Sequence, residues 1–259
     1  VSGIAPGTAT VSYTISNGCF RTATVTVNIA PGPITGDSTV CRLLTTTWAN
    51  SVPGGTWSSS STVVARVGST TGVVTGMTVG TALITYRMPG ACIVFDTIRV
   101  LTAPQPVTGT LTMCEGATTT LSSTTYGGVW ISGNTAVAAV VSPSGVVGGV
   151  SAGTSTISYA LGNGCFKSTV VTVNPLPVAI SGVDQVCAGS NITLSTPTTG
   201  GLWSASSANA TVGSTSGIVT GVSAGVVNIT YRIAATGCRR TMIITVNPVP
   251  SPITGTSTA

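Results

Sequence analysis

Histidine is absent from this 259-residue chain, lysine occurs once (Lys167), and the only acids are Asp37, Asp96, Glu115 and Asp184. These absences exclude much chemistry. Proton transfer and nucleophile activation draw on histidine, paired carboxylates or a tuned lysine, so the chain is expected not to be an enzyme. A calcium site needs several carboxylate or carbonyl oxygens, and four acids spread over this length do not furnish one per linker. Metal ligation by cysteine is disfavoured too, since no Cys-x-x-Cys or histidine completes a site. No metal or cofactor is expected. A Lys–Asn cross-link in every domain would need a lysine in every domain.

Charged residues make up 5% of the chain, and nine bases against four acids give a formal charge of +5. The bases are scattered, with only Arg239 and Arg240 adjacent. Nucleic-acid binding relies on clustered cations, and that partner is not expected. Mean hydropathy is positive at +0.54, yet no apolar run approaches the roughly 18–20 residues that span a bilayer. No membrane-spanning segment is expected either.

What is present is periodic. Cysteines fall at 19, 92, 165 and 238, and again at 41, 114 and 187, each comb with a step of 73 residues. Trp57, Trp130 and Trp203 keep the same step, each after a Gly-Gly pair. One period is the size of a small domain. Pro-x-Pro stretches at 31–33, 104–106, 175–177 and 248–250 separate the copies and read as extended, semi-rigid linkers. The expected division is a partial repeat at 1–33, complete repeats at 34–106, 107–178 and 179–250, and the start of another at 251–259. The next cysteine of the comb falls at 260, so the spacing predicts a window on a longer array.

The phrase Val-Ser-Ala-Gly-Thr-Ser-Thr-Ile-Ser-Tyr-Ala-Leu at 150–161 alternates apolar and hydroxyl residues, the mark of a half-buried strand. Its counterparts carry Val11 and Tyr13, and Ile229 and Tyr231, on the inward face. Asn-Gly before Cys19 and before Cys165 supplies a turn. Short strands, Gly-rich turns and no sustained helical period predict all-β, tandem Ig-like sandwiches joined end to end as a rod.

Cys41 and Cys92, Cys114 and Cys165, and Cys187 and Cys238 lie 51 residues apart. The spacing favours disulfides within each repeat, each worth about 4 kcal/mol by loop closure. Pairing across the linkers, Cys92 with Cys114 and Cys165 with Cys187, is the alternative. Either way an oxidising, extracellular setting follows. Trp57, Trp130 and Trp203 are expected in the core beside the disulfide rather than as exposed platforms for sugar rings. Trp48 and Tyr126, which show no repeated counterpart, are candidates for local surface function.

The run Gly-x-Val-x-Gly-Val-Ser-Ala-Gly-Thr-x-x-Ile-x-Tyr at 145–159 resembles bacterial Ig-like domains of the group 2 type. With Ile-Thr-Gly at 34–36 and 253–255, Gly-Gly-x-Trp, and Asn-Pro-x-Pro at 174–177 and 247–250, the whole chain resembles tandem modules of very large surface proteins of Bacteroidetes-type bacteria. The resemblance implies export to the bacterial cell surface and a place in a filament, an adhesin stalk or the spacer of a secreted enzyme. Asp37-Ser38-Thr39 and Asp96-Thr97-Ile98 match the O-glycosylation pattern of such bacteria, which makes Ser38 and Thr97 candidate sites. Asn191, Asn209 and Asn228 lie in Asn-x-Thr sequons. The near-uncharged, hydroxyl-rich strands also predict lateral association with other copies of the same protein, or else a cover of glycans. Glycans on a surface outside are the alternative partner.

Overall fold

The computed structural model describes residues 1–255, so residues 256–259 of the expected further repeat lie outside the described residues. Every regular element among the described residues is a strand. Contacts divide them into two compact units. One comprises Val1–Gln105 with Ala160–Lys167, the other Pro106–Tyr159 with Ser168 onward.

The first unit contains β1 (Gly7–Thr14), β2 (Phe20–Val27), β3 (Ile34–Thr35), β4 (Thr39–Cys41), β5 (Thr45–Thr47), β6 (Ala49–Asn50), β7 (Thr56–Ser59), β8 (Ala65–Val67), β9 (Val73–Gly76), β10 (Gly80–Arg87) and β11 (Ile93–Leu101). β1 and β2 form a two-stranded sheet. The rest form a sandwich. One sheet has the order β4-β11-β10-β7 and the other β5-β9-β8, with β3 and β6 paired beside them. Val40, Trp57, Ile84, Tyr86 and Ile98 from the first sheet meet Ala65 and Val74 from the second in one core. The two-residue period of the strands places these side chains inward and the hydroxyl residues between them outward.

The second unit repeats this arrangement twice. Thr112–Cys114, Phe166–Asn174, Gly153–Leu161 and Gly128–Ser132 form one four-stranded sheet; Gln185–Cys187, Arg239–Asn247, Gly225–Ile233 and Gly201–Ala205 form the other. The expected all-β, Ig-like sandwich is therefore the fold, and the same strand order recurs in each sequence repeat.

One pairing governs the rest. The first strand of each four-stranded sheet runs parallel to the last: Cys41 lies opposite Leu101, Cys114 opposite Asn174, and Cys187 opposite Asn247. The first-strand cysteine thus sits where the chain leaves the repeat. The other cysteine precedes the last strand, at the tip of the closing hairpin. Nine residue steps of about 3.3 Å separate Cys92 from Leu101, roughly 30 Å along the strand.

Candidate functional site

The expected disulfides within a repeat do not form. Cys41 is bonded to Cys165 and Cys114 to Cys238, each pair 124 residues apart, with Cα–Cα distances of 5.7 and 5.6 Å. Cys19, Cys92 and Cys187 carry free thiols. A bridge needs Cα atoms within about 7 Å, and the parallel first strand holds Cys41 and Cys92 at opposite ends of one sheet. The linker-spanning alternative does not form either, since Cys114 and Cys165 have other partners and Cys92 and Cys187 are free. The partner of an exit-end cysteine is the hairpin tip of the following repeat.

Each tip is shaped by its own sequence. Asn163 Oδ1 accepts the Cys165 N–H at 3.0 Å and Thr236 Oγ1 accepts the Cys238 N–H at 3.3 Å, the local side-chain turn that Asn and Thr favour. Asn17 Oδ1 does the same for the Cys19 N–H at 3.2 Å. The tips are then moored beside the sulfur bridge. Asn163 donates through Nδ2 to the Thr102 carbonyl at 2.9 Å, within the first unit. Arg240 Nε donates to the Pro177 carbonyl at 3.0 Å in the second. Asn28 Nδ2 donates likewise to the Gly90 carbonyl at 3.1 Å. Cys165 and Cys238 are both fully buried, so the joints are packed as well as bonded.

A second recurring feature lies beside the tryptophans. Trp57, Trp130 and Trp203 are buried. Each packs against a tyrosine one strand away, Tyr86, Tyr159 and Tyr231, with ring centroids 4.7, 4.7 and 4.8 Å apart and tilted planes. The tyrosine hydroxyl donates to the carbonyl of Val52, Thr125 or Thr198 and accepts the N–H of Gly55, Gly128 or Gly201. The Gly-Gly pair follows from this. Gly54, Gly127 and Gly200 have φ of 93°, 81° and 79°, and a Cβ on Gly55 or Gly201 would lie 2.5 Å from the tyrosine ring. Next to each aromatic pair opens a hydroxyl-lined cleft, of about 290, 320 and 350 Å³ in the successive repeats.

Trp48 is not a surface residue. It is 2% exposed, donates its indole N–H to the Asp37 carbonyl at 2.8 Å, and has counterparts one and two periods on in the equally buried Leu121 and Leu194. The repeat was hidden because the side chain changes from aromatic to aliphatic. Tyr126 is 93% exposed and stands on the rim of the second cleft. Ser38 and Thr97 are exposed, as are Asn191 and Asn228. Asn209 is partly buried and donates to Ser223 and Ala224. Among the described residues, no group of three or more Cys, Asp or Glu side chains is placed to hold a metal ion.

No family model and no curated protein matches the chain. Among solved structures it is similar to a C-terminal fragment of intimin in complex with the intimin-binding domain of the translocated intimin receptor. That match has 19% identity and a TM-score of 0.35, and covers 57% of this chain and 67% of that one. It is also similar to domains 1–6 of the surface-layer protein SbsC, at 16% identity and a TM-score of 0.28. Here 96% of this chain is covered, and it spans 45% of the SbsC chain. A third similarity is to SGBP-B of the Bacteroides ovatus mixed-linkage glucan utilization locus, in complex with a heptasaccharide. It has 14% identity and a TM-score of 0.22, and covers 81% of this chain and 66% of that one. At these scores the superpositions add nothing to the fold, which is defined by its own strand pairing and cores.

Proposed function

We propose that this chain is a stretch of the structural shaft of an extracellular bacterial filament or adhesin stalk, built from group 2-type Ig-like repeats. The observation that carries this reading is the pair of disulfides, each fastening one sequence repeat to the hairpin tip of the next. Such bonds persist in oxidising surroundings, and a bond between repeats resists separation of neighbours, which a bond inside a repeat does not. Lateral association belongs to the same proposal. Val129, Ile131, Val170, Leu202, Val226 and Ile243 are large apolar side chains half or more exposed on strands of the four-stranded sheets, and few charges need desolvation when such faces meet. Antibody against this chain, applied to intact cells of the encoding organism, should decorate filaments along their length in electron micrographs. Staining confined to the cytoplasm overturns the proposal.

The three recurrent clefts favour a second reading, a glycan-binding module. Its measurement is titration of the folded chain with a panel of oligosaccharides: saturable binding at three sites, one of them lost in Tyr126→Ala, supports it, and a blank panel counts against it.

A further inference from the structure

Charge is scarce in this chain, yet Arg232, Arg239 and Arg240 share one closing hairpin, that of the repeat at 179–250. Seven residues separate Arg232 from Arg239 in sequence, and the antiparallel register sets them directly opposite one another. Side chains so placed share a face with Cβ atoms about 4.5–5.5 Å apart, and like charges there repel. Tyr231 is buried, so Arg232 points outward together with Arg239, and both are exposed. The corresponding residues are Arg87 opposite Ile93 in the first unit, and Ala160 and Phe166 in the repeat between. Of these three hairpins, this one alone sets cation against cation. The second unit holds two acids, and both are engaged or distant. The Glu115 carboxylate accepts the N–H groups of Ala152 at 2.8 Å and Leu176 at 3.3 Å. Asp184 precedes Gln185, which lies opposite Thr245, six residues along the strand from Arg239 and so about 20 Å away.

The neighbours of this pair are equally ordered. Leu202 lies opposite Arg232 on the other side and is exposed, so one row across the outer face reads Leu202, Arg232, Arg239. The next row, about 7 Å along the strands, reads Ser204, Thr230, Thr241. Two guanidiniums, one apolar side chain and three hydroxyls thus stand side by side. The hairpin that carries them is fixed: Cys238 is bonded to Cys114, Arg240 Nε donates to the Pro177 carbonyl at 3.0 Å, and Arg232 Nε donates to the Gly237 carbonyl at 3.4 Å. Neither row contains an aromatic ring on which a nucleobase would stack.

We infer that Arg232 and Arg239 form a binding site for the carboxylate of an acidic polysaccharide. The guanidinium fork matches a carboxylate in shape and charge, and a carboxylate between the two arginines cancels the repulsion that the empty pair carries. The hydroxyl row then meets the hydroxyls of the sugar, and Leu202 covers the apolar face of its ring. A nucleic acid is served less well, since two facing cations neutralise few phosphates. The site lies on the outer side of the sheet, whereas Trp203 and Tyr231 line the cleft on the inner side, so it does not depend on a ligand in the clefts.

The test titrates the full chain with tetragalacturonate at about 0.15 M salt, reading the arginine Nε–H resonances by NMR and the affinity by calorimetry. The expected result is saturable binding that shifts the Nε–H signals of Arg232 and Arg239, and that weakens at least tenfold for the methyl-esterified oligomer. Arg232→Ala and Arg239→Ile each weaken it at least tenfold; both place there a residue that another repeat already carries, so the strand pair accommodates them. Arg87→Ala and Tyr126→Ala leave it unchanged. Unmoved Arg232 and Arg239 signals, equal binding of the ester, full binding by either arginine variant, or equal binding of a single-stranded oligonucleotide overturns the inference. Loss in Tyr126→Ala overturns it too, by moving the ligand to the clefts.

Discussion

At the scale of the residue, the aromatic pairs decide how firmly each sandwich is closed. Tyr231 combines a buried ring against Trp203 with a hydroxyl that serves two backbone groups. Tyr231→Phe keeps the ring and leaves the Gly201 N–H and Thr198 carbonyl without it, a loss of about 1–3 kcal/mol. Gly201→Ala drives a Cβ to 2.5 Å from the same ring and is expected to destabilise by at least as much, about 1–3 kcal/mol by overpacking. Denaturant unfolding of each variant measures both. Trp48 provides a contrasting case. Since Leu occupies the equivalent sites 121 and 194, Trp48→Leu should fold with a smaller loss than Trp48→Ala, whose cavity is expected to cost about 3–5 kcal/mol. Equal losses for the two would mean that the indole N–H bond to Asp37, not the packing, holds this corner together.

At the scale of the element, the disulfides separate what the sequence showed from what it hid. Alternation around Ile157 and Tyr159, and the turns before Cys19 and Cys165, announce the strands because those signals are local. The period of 73 residues likewise shows which cysteines are equivalent. The pairing depends on something no local pattern carries: the three-residue strand Thr39–Cys41 lies parallel to Ile93–Leu101, not antiparallel. That choice moves Cys41 to the exit end of its sheet and out of reach of Cys92. A 51-residue spacing looked like a closed loop only while that direction was unknown. The consequence is measurable. Closure of a 124-residue loop contributes about 5 kcal/mol on the chain-entropy model, so Cys165→Ser should lower the unfolding midpoint of the oxidised chain substantially. Cys92→Ser breaks no bond and exchanges one partly buried side chain against the core, so it should cost only about 1 kcal/mol, whereas bonds within repeats would make the two variants equally damaging.

At the scale of the whole molecule, the two bonds overlap: Cys114 lies inside the loop closed by Cys41 and Cys165, and Cys165 lies inside the loop closed by Cys114 and Cys238. Overlap limits how far the chain can be drawn out even after every sandwich has unfolded. Tension entering at Cys41 crosses to Cys165, returns along the chain to Cys114, and crosses again to Cys238. Only the 51 residue steps between Cys114 and Cys165 bear it, while the two flanking 73-step arms hang slack in parallel. At about 3.4 Å per step the segment from Cys41 to Cys238 can reach roughly 175 Å plus two bridges of 5.7 and 5.6 Å. Reduced, its 197 steps can reach about 670 Å. Over this whole segment the gain on reduction is about 485 Å, and bonds within the repeats, which would close three 51-step loops, would give nearly the same gain, about 500 Å. Pulling between attachment points beside Cys41 and Cys165, with and without a thiol reductant, separates the two wirings. The bond between these residues holds the points 5.7 Å apart, and reduction frees 124 steps, an expected gain of about 415 Å. A gain near 335 Å, two 51-step loops less their two bridges at that rise, would show that the repeats are closed individually and that neighbours are not fastened to one another.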